Sequence, residues 1–78
     1  MKQLQGLSRA FGIVIAQRRM ECGISQEKLA ERIDATNVYI CLLENGQRQP
    51  SLNTAVLIAR ALDMAPDDLV RQVCSALE

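Results

Sequence analysis

The sequence predicts an all-α fold of five short helices, and three observations carry that prediction. Nowhere do apolar and polar residues alternate with the period of two that a half-buried strand requires. The β-branched residues fall instead inside stretches whose apolar positions recur at three- and four-residue spacing. Ser or Thr stands ahead of most of these stretches, and Gly follows two of them, where helix caps belong.

The first helix is expected to begin after Ser8 as its N-cap, to carry Phe11, Val14, Ile15, Arg18, Arg19 and Cys22 along one side, and to stop at Gly23. Ser25 then caps a helix reading QEKLAERI, whose apolar side is Leu29, Ala30 and Ile33 and whose Glu27 favours the positive end of the helix dipole. After Asp34-Ala35, Thr36 caps a third helix, NVYICLLEN, with Ile40 and Leu43 inward and Gly46 at its end. The segment Gly46 to Pro50 leads to Ser51, cap of a fourth helix containing Leu52, Ala55, Val56, Ile58, Ala59 and Leu62. Pro66 suits the first position of a fifth helix, followed by Asp67 and Asp68 in the first turn and by apolar Leu69, Val70, Val73 and Leu77.

The chain has 78 residues, enough for one globular unit and too few for separate catalytic and regulatory domains. Apolar residues at 49% and charged residues at 23% exclude a disordered chain. The net charge is zero but unevenly placed: seven basic residues face five acidic ones up to Pro50, and two face four from Ser51 onward. Cys22, Cys41 and Cys74 are odd in number, widely spaced and without a histidine, which argues for free thiols and against a disulfide framework or a metal site. Cys22 and Cys74 are expected as buried or half-buried apolar fillers. No apolar run reaches the roughly 18 residues of a membrane span, and the N-terminus lacks an apolar signal core, so a cytoplasmic protein is expected. No histidine, glycine-rich phosphate loop or paired carboxylate suggests an enzyme, and no cofactor or small-molecule substrate is implied.

Gln26 to Ile33 and Asn37 to Asn45, joined by a tight turn, form a candidate helix-turn-helix. Its close crossing needs a small residue, supplied by Ala30, and a mutual apolar core, supplied by Leu29, Ile33, Ala35, Ile40 and Leu43.

The segment SQEKLAERIDATNVYICLLENGQRQPSL resembles the helix-turn-helix of the phage-repressor-like (Xre-type) transcriptional regulators. The resemblance runs from about Phe11 to Leu69. It points to a single repressor-like domain spanning residues 1–78, with the motif at about 26–45, similar to the small stand-alone controller proteins of restriction-modification systems. It implies a five-helix homodimer that binds palindromic half-sites on double-stranded DNA with its third helix in the major groove.

Carried over by position, Asn37, Val38, Tyr39 and Leu42 face the bases. Gln26, Thr36, Cys41, Asn45, Gln47 and Arg48 face the DNA backbone. Arg19 and Glu44 match a buried ion pair of that family. The apolar excess at Leu57, Leu69, Val70, Val73 and Leu77, on helices spanning about 51–77, is the candidate dimer interface. Arg9, Arg18 and Arg32 are read as solvated.

Two departures bear on function. Asp34 stands where the family usually has glycine, and Val38, Cys41 and Leu42 make the third helix apolar where relatives are polar or basic. With no Arg or Lys on that helix, a bidentate contact to guanine is unavailable. Asn37 suits adenine and Val38 or Leu42 suits a thymine methyl, so an A/T-leaning half-site is expected. The same apolar helix leaves a second reading open, a protein-interaction module of antitoxin or anti-repressor type that keeps the fold and binds DNA weakly or not at all.

Overall fold

In the computed structural model, which describes residues 1–77, the chain forms α1 (Leu7–Glu21), α2 (Gln26–Arg32), α3 (Asn37–Glu44), α4 (Leu52–Ala61) and α5 (Pro66–Ala76), with no strand among the described residues. Three of the starts follow from side-chain caps. Ser25 Oγ accepts from the Lys28 N–H at 3.0 Å, Thr36 Oγ1 from the Tyr39 N–H at 3.1 Å and Ser51 Oγ from the Thr54 N–H at 3.1 Å. Pro66 opens α5, where its missing N–H leaves no bond unmade.

The first helix departs from the sequence expectation. It begins at Leu7 with Gly6 as N-cap, and Ser8 lies inside the first turn. Leu7 packs against the core and Ala10 N–H donates to Gly6 O at 2.8 Å, so the helix gains a half-buried side chain by starting two residues earlier. Ser8 Oγ is turned toward the loop before α4 and lies 3.4 Å from Gln49 Oε1.

Each of the first four helices closes with the same pair of backbone bonds, the six-residue and four-residue reversals of a Schellman turn. At the end of α2, Ala35 N–H donates to Ala30 O at 2.8 Å and Asp34 N–H to Glu31 O; at the end of α4, Met64 N–H donates to Ala59 O at 2.9 Å and Asp63 N–H to Arg60 O. The residue that must turn left-handed is Gly23 after α1 and Gly46 after α3, but Asp34 (φ 56°) after α2 and Asp63 (φ 55°) after α4.

Ile15, Leu29, Ile40, Leu43, Ile58, Leu62 and Leu69 are fully buried and draw one side chain or more from every helix. Helix α1 lies against both α3 and α5, α2 crosses α3, and α4 packs on α5. Gly12, which composition and periodicity did not single out, sits where α1 meets the end of α3. A Cβ there would lie 2.5 Å from the carbonyl oxygens of Leu43 and Glu44. Only glycine permits that approach. Among the described residues no helix is long and apolar enough to cross a membrane.

Candidate nucleic-acid interface

The start of α3 projects from the surface because its inward residues are two turns' worth of core anchors. Ile40 and Leu43 are fully buried, so the intervening periodicity turns Asn37 and Val38 outward, Val38 with 67% of its surface exposed. Leu42 and Cys41 are half-buried farther along the helix, and Asn45 Nδ2 donates to Cys41 Sγ at 3.4 Å. Thr36 is exposed with its oxygen engaged in the cap.

A charge cluster fixes this helix to the rest of the molecule. Arg19 Nε donates to Glu44 Oε2 at 2.7 Å and Arg19 NH2 to Glu44 Oε1 at 3.1 Å, a two-pronged pair whose side chains retain 14% and 6% exposure. The third arginine nitrogen, NH1, donates to Ile24 O at 2.9 Å. Gln26 Nε2 donates to the same Glu44 Oε1 at 2.9 Å. One carboxylate thus joins α1, the first residue of α2 and the end of α3, and Arg19 adds the turn before α2. The guanidinium is held charged more firmly than an ordinary arginine, chiefly by its hydrogen bond to Glu44, against an opposing cost of burial.

Gln26 therefore has a second role that its position alone did not reveal. One amide N–H is committed to Glu44, and the amide keeps its other N–H and its oxygen for an outside partner. On the far side of α3, the turn at Gly46 brings the loop back. Gln47 N–H donates to Leu42 O at 2.9 Å, and the Arg48 guanidinium lies over the Tyr39 ring, 5.6 Å from its centre. Tyr39 is half-buried against the core, unlike its exposed neighbours Asn37 and Val38, while Asn45, Gln47 and Arg48 are exposed.

The basic residues of the first fifty positions are distributed differently from the expectation. Arg18 Nε donates to Leu62 O at 2.9 Å and its NH2 to Asp63 O at 3.1 Å, and Arg32 NH1 donates to Ala61 O at 2.9 Å. Both satisfy carbonyls that the end of α4 leaves open, so they are structural caps rather than freely solvated cations. Lys28 pairs with Glu31. Among the described residues, Lys2, Arg9, Arg32, Arg48 and Arg60 form no ion pair with a carboxylate. Of these, Arg48 adjoins α3, and the Arg9 backbone abuts Gly46.

The candidate dimer face also needs revision. Leu69 and Val73 are buried at 1% and 5% exposure, because α5 turns that side toward α1 and α4; they belong to the core of the single chain and offer almost no surface to an interface. Leu57 and Val70 remain exposed and Leu77 is half-buried. Leu52, at the start of α4, is also exposed, at 78%. Cys74, expected to be at least half-buried, is exposed, while Cys22 is half-buried. A groove of about 210 Å³ runs between these elements, lined by Leu7, Phe11, Pro50, Ala55, Val70 and Val73 among others.

Residues 15–69 match the family described as helix-turn-helix. The chain is 49% identical over 49 residues to an uncharacterised HTH-type transcriptional regulator of Methanothermobacter thermautotrophicus, which covers 63% of this chain and 71% of that protein. The crystal structure of the restriction-modification controller protein C.AhdI from Aeromonas hydrophila is 33% identical, covers 83% of this chain and 97% of its own, and superposes with a TM-score of 0.78. A third similarity, at 24% identity and a TM-score of 0.81 over 91% of this chain and 93% of the other, concerns fold alone. It is to the controller protein C.Esp1396I, solved as a tetramer in complex with its natural 35 base-pair operator.

Proposed function

The chain belongs to the helix-turn-helix family of transcriptional regulators, a regulator and not an enzyme, and we propose that it acts as a homodimer on double-stranded DNA, in the cytoplasm, as one domain spanning residues 1–78. The start of α3 enters the major groove with Asn37 and Val38 toward the bases. Gln26 and Thr36 on one side, and Cys41, Asn45, Gln47 and Arg48 on the other, face the backbone; Leu42 lies deeper along α3. The observation that carries this reading is the outward turn of Asn37 and Val38 on a helix anchored at both ends, by the Thr36 cap and by Glu44. The operator complex of the controller protein with the same fold supports it.

Two copies joined through α4 and α5 would present two such helices, so the operator is palindromic with half-sites about one helical turn apart. Asn37 and Val38 together suit an A·T pair, one through adenine N6 and N7 and the other through the thymine methyl. Selection from random duplex DNA tests this directly: the expected product is a two-fold A/T-leaning motif, and failure to enrich any motif at low salt sinks the reading. On the selected duplex, Arg48→Ala is expected to lower the salt slope by about one counterion per protomer and weaken binding to all sequences alike.

The exposed Val38 and the absence of a cation on α3 favour one alternative, an apolar α3 that docks on a protein. It predicts a stoichiometric partner and no DNA binding at low salt.

A further inference from the structure

We propose that Tyr39 is a positioning residue that acts through Arg48: its ring holds the guanidinium where the DNA backbone is to be met. The proposal rests on the DNA-binding reading above and assigns to Tyr39 a role other than reading bases.

Four features converge on it. Tyr39 is in the first turn of α3, yet it is half-buried and packed on the core, so its ring is a fixed surface and not a projecting probe. Arg48 comes nine residues later, and the chain reverses between them through the bond from Gln47 N–H to Leu42 O. That reversal packs closely on α1, because Gly46 lies against the backbone of Arg9, where a Cβ would be 3.0 Å from Arg9 Cα. The guanidinium then sits 5.6 Å from the ring centre, within the range of attraction between a cation and an aromatic face, and no carboxylate among the described residues competes for it.

A long cationic side chain free in solvent must be ordered before it can meet a phosphate, and that ordering weakens binding. Stacking on Tyr39 orders it beforehand. The guanidinium lies over the ring while its several N–H donors leave some free to face outward, an arrangement for which the planar arginine group is better suited than the lysine ammonium. Since α3 itself carries no Lys or Arg, the direction of this one cation sets how squarely α3 can seat in the groove.

The test has a free-protein arm and a DNA arm. In the free protein, the side-chain δ and ε protons of Arg48 should show ring-current shifts in proton NMR. Those shifts should persist in Tyr39→Phe and vanish in Tyr39→Leu. Tyr39 is the sole tyrosine in a chain without tryptophan, so its ultraviolet absorption also reports the stack, and Arg48→Ala should perturb it. In the DNA arm, a heteropolymer duplex of about three helical turns at low salt is the probe. Tyr39→Leu is expected to weaken binding about threefold to tenfold, Tyr39→Phe less than about twofold, and Tyr39→Leu added to Arg48→Ala less than about twofold further.

Absent ring-current shifts in the native protein overturn the proposal. So does a large loss in Tyr39→Phe, which would place the hydroxyl on the DNA, or a Tyr39→Leu loss that persists in full without Arg48. If the shifts are present and the native protein binds no duplex, the DNA-binding reading falls and takes the proposal with it. Binding that survives Tyr39→Leu unchanged refutes the proposal alone.

Discussion

The joint between α1 and α3 and the layer formed by α4 and α5 are held by different forces. At the first, a single nearly buried carboxylate accepts hydrogen bonds from Arg19 and Gln26, and a glycine lets the two backbones touch. At the second, Ile58, Leu62, Leu69 and Val73 bury apolar surface, and the exposed remainder, Leu52, Leu57 and Val70, continues the same chemistry to the outside. Charge clusters are directional and fail when one member is lost, whereas apolar layers are tolerant of detail and adhesive. The molecule thus puts the element that needs an exact pose, α3, on the directional joint, and keeps the adhesive surface for α4 and α5.

The sharpest way to break the contrast is to remove one member of the charge cluster. Arg19→Met strands Glu44 with Gln26 as its remaining partner and is expected to cost about 3–5 kcal/mol, a large part of the stability of so small a domain. Glu44→Leu should do comparable damage, and the double substitution should recover most of it, because two well-packed apolar side chains leave no charge behind. Chemical denaturation of the four proteins measures the coupling; a coupling near zero would mean that the pair does not hold the joint. The linkage with pH has a definite sign. Arg19 binds its proton more tightly folded than unfolded, so its contribution is complete at every pH below the ordinary arginine range and is withdrawn only above it. Neutral to mildly alkaline conditions should show no loss of stability from this group.

On the apolar side a charge placed outside should leave the fold alone and act on assembly. Val70 is 54% exposed, so Val70→Lys is expected to change the melting temperature of the single chain little, while weakening self-association about tenfold or more. Sedimentation at several protein concentrations, with and without the substitution, reads this directly. The same change at the adjacent Leu69, about a quarter of a turn away but buried at 1% exposure, should unfold the protein instead. A Val70→Lys chain that associates as before would rule out Val70 as part of the proposed dimer face.

Much of the helical layout could be read from sequence because it rests on local chemistry. Ser25, Thr36 and Ser51 act as caps whatever surrounds them, and Ile40 with Leu43 fixes which side of α3 faces in. Ser8 misled because a tertiary contact of Leu7 outweighed a local preference. Leu69 and Val73 could not be told from Val70 by apolar character, since only the placement of α1 and α4 decides which side of α5 is covered. The roles of Arg18 and Arg32 were illegible for the same reason: their partners are backbone carbonyls 29 to 45 residues away, and carbonyls leave no mark in a sequence. At the candidate interface, the sharing of Gln26 with Glu44 and the placing of Arg48 over Tyr39 required coordinates.

The smallest expected effect lies between the two regions, in the turn that sets α2 against α3. Asp34 holds a left-handed conformation that glycine occupies without penalty after α1 and α3, and it also places a carboxylate at the negative end of α2. Asp34→Gly relieves both, and the greater freedom of glycine in the unfolded chain takes part of the gain back. A net stabilisation of about 0.5–1 kcal/mol is expected, seen as a rise of a few degrees in melting temperature. Asp63, at φ 55° after α4, repeats the conformation outside the motif and should respond in the same direction. A fall in stability at Asp34 alone would show that its carboxylate makes a contact particular to the helix-turn-helix, since Asp63→Gly controls for the backbone term.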